Sequence, residues 1–154
     1  MYKRLLVPLD GSKTAEAIVP FVLEIAGPLD IEVVLLRVVV PIPPSVVEGT
    51  RQVVVEDVET RQAEAETYLS GLAGELRDRG VRVRTEVRRG DPVTEIASAA
   101  RELEADLIAM TTHGRSGLGR LLFGSVAEAV LRTTELPVLM MRQTAAQVAQ
   151  RTRA

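Results

Sequence analysis

From Thr112 to Ser125 the chain reads Thr-His-Gly-Arg-Ser-Gly-Leu-Gly-Arg-Leu-Leu-Phe-Gly-Ser. Such a stretch is suited to holding an anion. Its glycines let backbone N–H groups converge on one point, and a helix opening at its end adds partial positive charge. Arg115 and Arg120 supply positive charge, and no acidic residue occurs between Leu107 and Ala127. The chemistry implied is a phosphate cradle.

A second polar cluster, Asp10-Gly11-Ser12, follows an apolar run. On its own Asp10 reads as a turn residue or a cap of the first helix. Ser125 and Glu128 have the Ser-x-x-Glu spacing of a capping box, so helix entry alone accounts for Ser125, and a capping hydroxyl still faces outward. Gly117 and Gly119 fit a tight loop that needs positive backbone angles. Arg115 and Arg120 read either as phosphate contacts or as a solvated basic loop. His113 is the sole histidine and so makes no metal site; a hydrogen-bonded loop position suits it better than catalysis.

Other chemistries are missing. There is no Gly-x-x-x-x-Gly-Lys-[Ser/Thr] loop, no Gly-x-Ser-x-Gly elbow and no ligand cluster with metal spacing. No residue stands out as a base to orient an attacking water beside the phosphate loop. Binding with at most slow turnover is the expectation.

The elements that must position these residues follow from periodicity. Tyr2 to Leu9 reads as a strand that is apolar on both faces, as in a covered parallel sheet. Ala15, Ile18, Val19, Val22, Leu23 and Ala26 recur at helical spacing up to Gly27-Pro28. Ile31 to Val40 is a β-branched strand, ended by the proline-rich segment Pro41 to Ser45. Helical spacing resumes from Val54 to Leu76 and stops at Gly80. Val81 to Val87 alternates and predicts a strand near an edge. Asp91-Pro92 predicts an N-cap and first helical position, the helix running to about Glu104. Asp106 to Met110 and Pro137 to Met141 are the remaining strands, with a helix over 126–132 between them. Strands alternating with helices predict an α/β fold, a doubly wound sheet. Ligands in such sheets bind outside the carboxyl ends of the strands, where the order reverses.

Size and composition narrow the function. A chain of 154 residues is most simply one domain, here 1–142, with a polar tail over 143–154. Aromatics are only 3%, too few for stacked nucleic-acid platforms, and a net charge of −2 gives no general attraction to DNA or anionic membranes. With no cysteine there are no disulfides or thiolate metal sites. No apolar run approaches the roughly 20 residues of a membrane span, and no secretory signal precedes the first strand. These features predict a cytoplasmic protein with no nucleic-acid or membrane partner.

Three features, in this order, carry a resemblance: Val7-Pro8-Leu9-Asp10-Gly11-Ser12, Thr112-His113-Gly114-Arg115-Ser116-Gly117, and Gly124-Ser125-Val126-Ala127. Together with Leu136-Pro137-Val138-Leu139-Met140 they resemble the universal stress protein family over about residues 2 to 142. Its nucleotide-binding branch carries Gly, two residues, Gly, nine residues, then Gly-Ser or Gly-Thr. Gly114 and Gly124-Ser125 match the later elements, while Thr111 stands where the first glycine is expected.

The resemblance implies a five-stranded parallel sheet of order 3-2-1-4-5, Rossmann-like and similar to the adenine nucleotide alpha hydrolases. It implies that Asp10 accepts from ribose hydroxyls, Pro8 and Leu9 wall the nucleotide, and backbone at Val38 and Val39 meets the adenine edge. Gly114, Arg115, Gly124, Ser125 and Val126 would surround the phosphates, and Met110 and Thr111 are implied as nucleotide-binding residues too, the Thr111 side chain either crowding the nucleotide or offering it a hydroxyl. Family members often carry histidine before that valine, where this chain has Arg37. The implied ligand is ATP, with ADP or AMP as alternatives, accompanied by magnesium. The implied role is a nucleotide-dependent regulatory module of the stress response, acting on a protein partner and pairing as a homodimer through the edge strand 137–142. A slow ATP-hydrolysing or nucleotidyl-transfer enzyme and a nucleotide-free interaction protein are the alternatives on the same fold.

Overall fold

The structure, a computed structural model, describes residues 1–41, 51–113 and 122–143. Its strands are β1 (Arg4–Pro8), β2 (Glu32–Val39), β3 (Val83–Arg89), β4 (Leu107–His113) and β5 (Val138–Gln143). All pair in parallel, in the order β3-β2-β1-β4-β5. The doubly wound sheet and its strand order are as expected from the sequence. Leu5, Leu6, Val7, Val33, Leu35, Leu36, Ile108 and Met110 are wholly or almost wholly buried at its centre. Burial on both faces explains why these strands read as unbroken apolar runs.

The helices are α1 (Lys13–Glu16), α2 (Ile18–Ala26), α3 (Arg51–Asp78), α4 (Pro92–Glu102) and α5 (Leu122–Thr133). α1 and α2 pack on β4, and α3 on β2 and β3; α5 also packs on β4, with α4 beside it and against β2. Right-handed crossovers put the first three on one face and the last two on the other. The winding therefore reverses between β1 and β4.

Four local differences from the sequence reading have physical causes. The first helix is two pieces, broken at Ala17, because Pro20 has no N–H to continue the ladder; it sits instead in the first turn of α2, where that N–H has no helical partner anyway. β4 continues past Met110, since Thr111, Thr112 and His113 stay in register with Met141, Arg142 and Gln143. Gln143 is thus the last residue of β5 rather than the first of a tail; residues 144–154 lie outside the described residues.

The fourth difference corrects the capping box. α5 begins at Leu122, one turn early, so Ser125 is its fourth residue and not its cap. Glu128 pairs instead with Arg132, with Oε1 accepting from Nη2 at 2.8 Å. Asp91 caps α4 as read, its Oδ2 accepting from the Thr94 amide at 3.0 Å with Pro92 next in line.

Candidate functional site

β2 outruns its neighbour: Pro8, the last residue of β1, is in register with Leu36, and Val38 and Val39 continue beyond it. The step opens a cleft of about 330 Å³ at the carboxyl edge of the sheet. Pro8, Leu9 and Asp10 form one side and Val38, Val39 and Val40 the other. Arg37, Arg61 and Glu64 line it from the α3 face; Pro92, Ile96 and Val126 line it from the α4–α5 face. The cleft thus lies where an open α/β sheet binds its ligands.

Asp10 is exposed in this cleft. Its Oδ1 accepts from the Ser12 amide at 2.8 Å, and the Ser12 hydroxyl accepts from the Ala15 amide at 3.1 Å, capping α1. The two sequence readings of Asp10 are therefore compatible. One oxygen fixes the turn, and the carboxylate still carries its charge into the cleft. Gly11 follows with φ +86°, a left-handed conformation suited to glycine.

On the α3 face, the Arg37 guanidinium lies 5.1 Å from the centre of the Tyr68 ring. The Tyr68 hydroxyl donates to Glu16 Oε1 at 2.8 Å. Burial, reinforced by the Glu16 carboxylate, pushes the Tyr68 phenol well above its ordinary range, so it stays a neutral donor. Arg61 donates through Nη1 to the Val40 carbonyl at 2.8 Å and ties α3 to the cleft mouth.

At the neighbouring strand edge, Arg88 pairs with Glu102 at 2.6 Å and lies near Glu86 and Glu95. Burial works against its charge, but the Glu102 hydrogen bond and the three carboxylates outweigh it and raise its pKa. This cluster fastens β3 to α4 and does not line the cleft.

Of the residues singled out in the sequence, the fold brings Pro8, Leu9, Asp10, Val38, Val39 and Val126 together in one cleft. Met110 and Thr111 are fully buried and do not line it. Ser125 is exposed on α5 without lining it, and Gly124 lies in the first turn of that helix. Gly114 and Arg115 lie outside the described residues, as do Gly117, Gly119 and Arg120.

Sequence reasoning missed Arg61, Glu64, Pro92 and Ile96 as cleft residues. Pro92 and Ile96 were legible only as a helix start and an apolar position. Arg61 and Glu64 carried no signal, since charges along a long helix usually mark a solvated face. Among the described residues no group of three or more His, Cys, Asp or Glu could hold a metal ion. Nor is any described helix long and apolar enough to cross a membrane.

Residues 1–142 match the model of the Universal stress protein family. A universal stress protein of Methanocaldococcus jannaschii is 35% identical over 146 residues, covering 93% of this chain and 84% of that one. The solved structure of a second universal stress protein from that organism superposes with a TM-score of 0.79 at 30% identity, covering 94% of this chain and 98% of the other. A universal stress protein family structure from Arabidopsis thaliana, described with AMP bound, shares the fold at 18% identity and a TM-score of 0.68, covering 94% of each chain. The sequence motifs, the strand order and these likenesses agree, and the chain belongs to the universal stress protein family.

Proposed function

We propose that the cleft binds an adenine nucleotide, ATP or its diphosphate or monophosphate, and that the protein is a nucleotide-dependent regulatory module with at most slow turnover. The observation that carries this reading is the composition of the cleft: apolar walls from Pro8, Leu9, Val38, Val39, Ile96 and Val126, with the exposed Asp10 carboxylate at the end of β1 and the exposed Glu64 carboxylate across from it on α3. A flat apolar base suits such walls, and a ribose diol suits such an acceptor. The strand ends at Val38 and Val39 offer backbone groups for the base edge. Binding of AMP by a protein of the same fold is in keeping with it. Gly114, Arg115, Gly124, Ser125 and Val126 would meet the phosphates. With no metal cluster among the described residues, magnesium would arrive on those phosphates and keep much of its water.

Calorimetric titration of nucleotide-cleared protein with ATP and magnesium tests this, alongside Gly124→Val. The expected result is micromolar binding by the wild type and its loss in the variant, with thermal unfolding as the check that the variant folds. No binding by the stripped wild type would transfer the proposal to the nucleotide-free alternative.

A second proposal concerns assembly. The two sheet edges differ: β3 carries Arg84, Glu86, Arg88 and Arg89, whereas β5 begins Val138-Leu139-Met140-Met141. Charged residues blunt an edge, and an apolar edge invites pairing. We infer a homodimer through β5.

A further inference from the structure

Arg37 is half-buried in the cleft, yet among the described residues it makes no hydrogen bond or ion pair. Its guanidinium is held by shape instead, between the Tyr68 ring and the backbone of Gly11. A Cβ added at Gly11 would stand 2.9 Å from Arg37 Nη1. Arg61, the other guanidinium of the cleft, is already committed to the Val40 carbonyl. Arg37 therefore keeps five N–H donors in a fork whose natural partner is a phosphate or carboxylate. Tyr68 cannot relieve it, since the phenol stays neutral and donates to Glu16. A guanidinium partly withdrawn from water, stacked on a ring but with no hydrogen bond or ion pair among the described residues, beside a cleft, points to an anion that arrives with the ligand.

Its position says where on the ligand. Arg37 lies against Gly11, the residue after Asp10, and no ion pair joins the guanidinium to the Asp10 carboxylate. On the nucleotide reading proposed above, on which this inference rests, Asp10 marks the ribose. We propose that Arg37 is a second anion-binding group, separate from the glycine-rich loop, and that it selects adenine nucleotides carrying a phosphate on the ribose 2′ or 3′ oxygen. A phosphate there would be repelled by Asp10 alone. Arg37 supplies the cation that offsets this, as an arginine does in dinucleotide folds that accept a ribose 2′-phosphate. An unsubstituted ribose would leave the fork unmatched.

The test is titration of nucleotide-cleared full-length protein with AMP, adenosine 2′,5′-bisphosphate and adenosine 3′,5′-bisphosphate. Wild type, Arg37→Gln and Arg37→Lys are compared, with thermal unfolding as a check on folding. The expected result is that one bisphosphate binds about tenfold or more tighter than AMP, as a charge-assisted pair allows. Arg37→Gln abolishes that preference while AMP affinity stays level, and Arg37→Lys retains part of it. Equal binding of AMP and both bisphosphates overturns the inference and leaves the nucleotide reading intact. So does an unchanged preference in a folded Arg37→Gln protein. Absence of binding by all three ligands removes the nucleotide reading and this inference with it.

Discussion

The Thr111 hydroxyl donates to the Ala15 carbonyl at 3.3 Å, joining the carboxyl end of β4 to α1, the helix that follows β1. Thr111 is fully buried, the one polar residue so buried among the described residues. Its side chain thus belongs to the seam between β4 and α1, not to the cleft that Asp10 lines. The position where the family motif carries glycine is filled here by a packed strand residue.

Replacing Thr111 separates these roles. Thr111→Val keeps the shape and is expected to lower unfolding free energy by about 1 kcal/mol, the net value of one hydrogen bond. Thr111→Gly also removes buried methyl packing and loosens the strand, for a total of roughly 2–3 kcal/mol. Urea unfolding measures both losses. ATP titration should be unchanged in Thr111→Val, and a large fall in affinity there would return Thr111 to the site.

Asp10 should divide stability from affinity. Asp10→Ala removes the acceptor of the Ser12 amide, costing about 1 kcal/mol, and weakens adenine nucleotide binding about tenfold. Asp10→Asn keeps an oxygen for Ser12 and restores stability, with affinity between the two because neutral acceptors are weaker. Paired calorimetry and chemical unfolding of the two variants read out the split. Equal affinity in all three proteins would leave Asp10 a turn residue only.

For the edge pairing, the register supplies a selective lesion. Val138 is in register with Ile108, whose amide donates to Pro137, so the backbone groups of Met140 point away from β4. Met140→Pro therefore deletes an outward N–H and leaves the β4–β5 ladder intact. Sedimentation equilibrium should give twice the 16.7 kDa chain mass for the wild type and the single chain mass for the variant. A wild-type monomer, or an undiminished dimer in the variant, would argue against pairing through β5.

Tyr68 gives an alkaline signature. Burial, reinforced by Glu16, raises its folded pKa above the ordinary tyrosine value of about 10. Above about pH 10 the unfolded chain loses a proton that the folded chain retains, so this group's contribution to stability falls as pH rises further. Below that pH both states hold the proton and no dependence arises. Tyr68→Phe should be less stable at neutral pH by about 1 kcal/mol through the lost Glu16 bond. It should also lose stability less steeply between pH 10 and 12, by urea unfolding. Parallel pH profiles would place the phenol in ordinary solvent.

The fold was legible wherever one residue type has one local use. Asp91-Pro92 marked a helix start, and unbroken apolar runs marked covered strands. The apolar spacing around Pro20 reads as one helix, because periodicity is blind to a missing N–H. The cleft was legible where the chain itself turns, at Pro8 to Asp10 and at Val38 and Val39. Its α3 and α4 walls were not, since Arg61, Glu64 and Ile96 reach it only through tertiary packing. Arg37 stands out in the sequence as a departure from the family pattern, but nothing in one sequence says that its guanidinium rests on Gly11. Ser125 misled because Ser-x-x-Glu fits a cap only if the helix starts there, and Leu122 to Gly124 extend it by one turn.

The unequal edges of the sheet also limit growth. A strand edge that accepts a neighbour generally offers a new edge in turn, which is how sheets lengthen without end. Here β5 opens with four apolar residues, Val138 to Met141, while β3 presents arginines and a glutamate. Two copies joined through β5 would face outward with β3 on both flanks, and like edges of fixed charge pattern do not template a third. On the proposed pairing the molecule would join one partner and then stop, a closed union rather than the seed of a fibre.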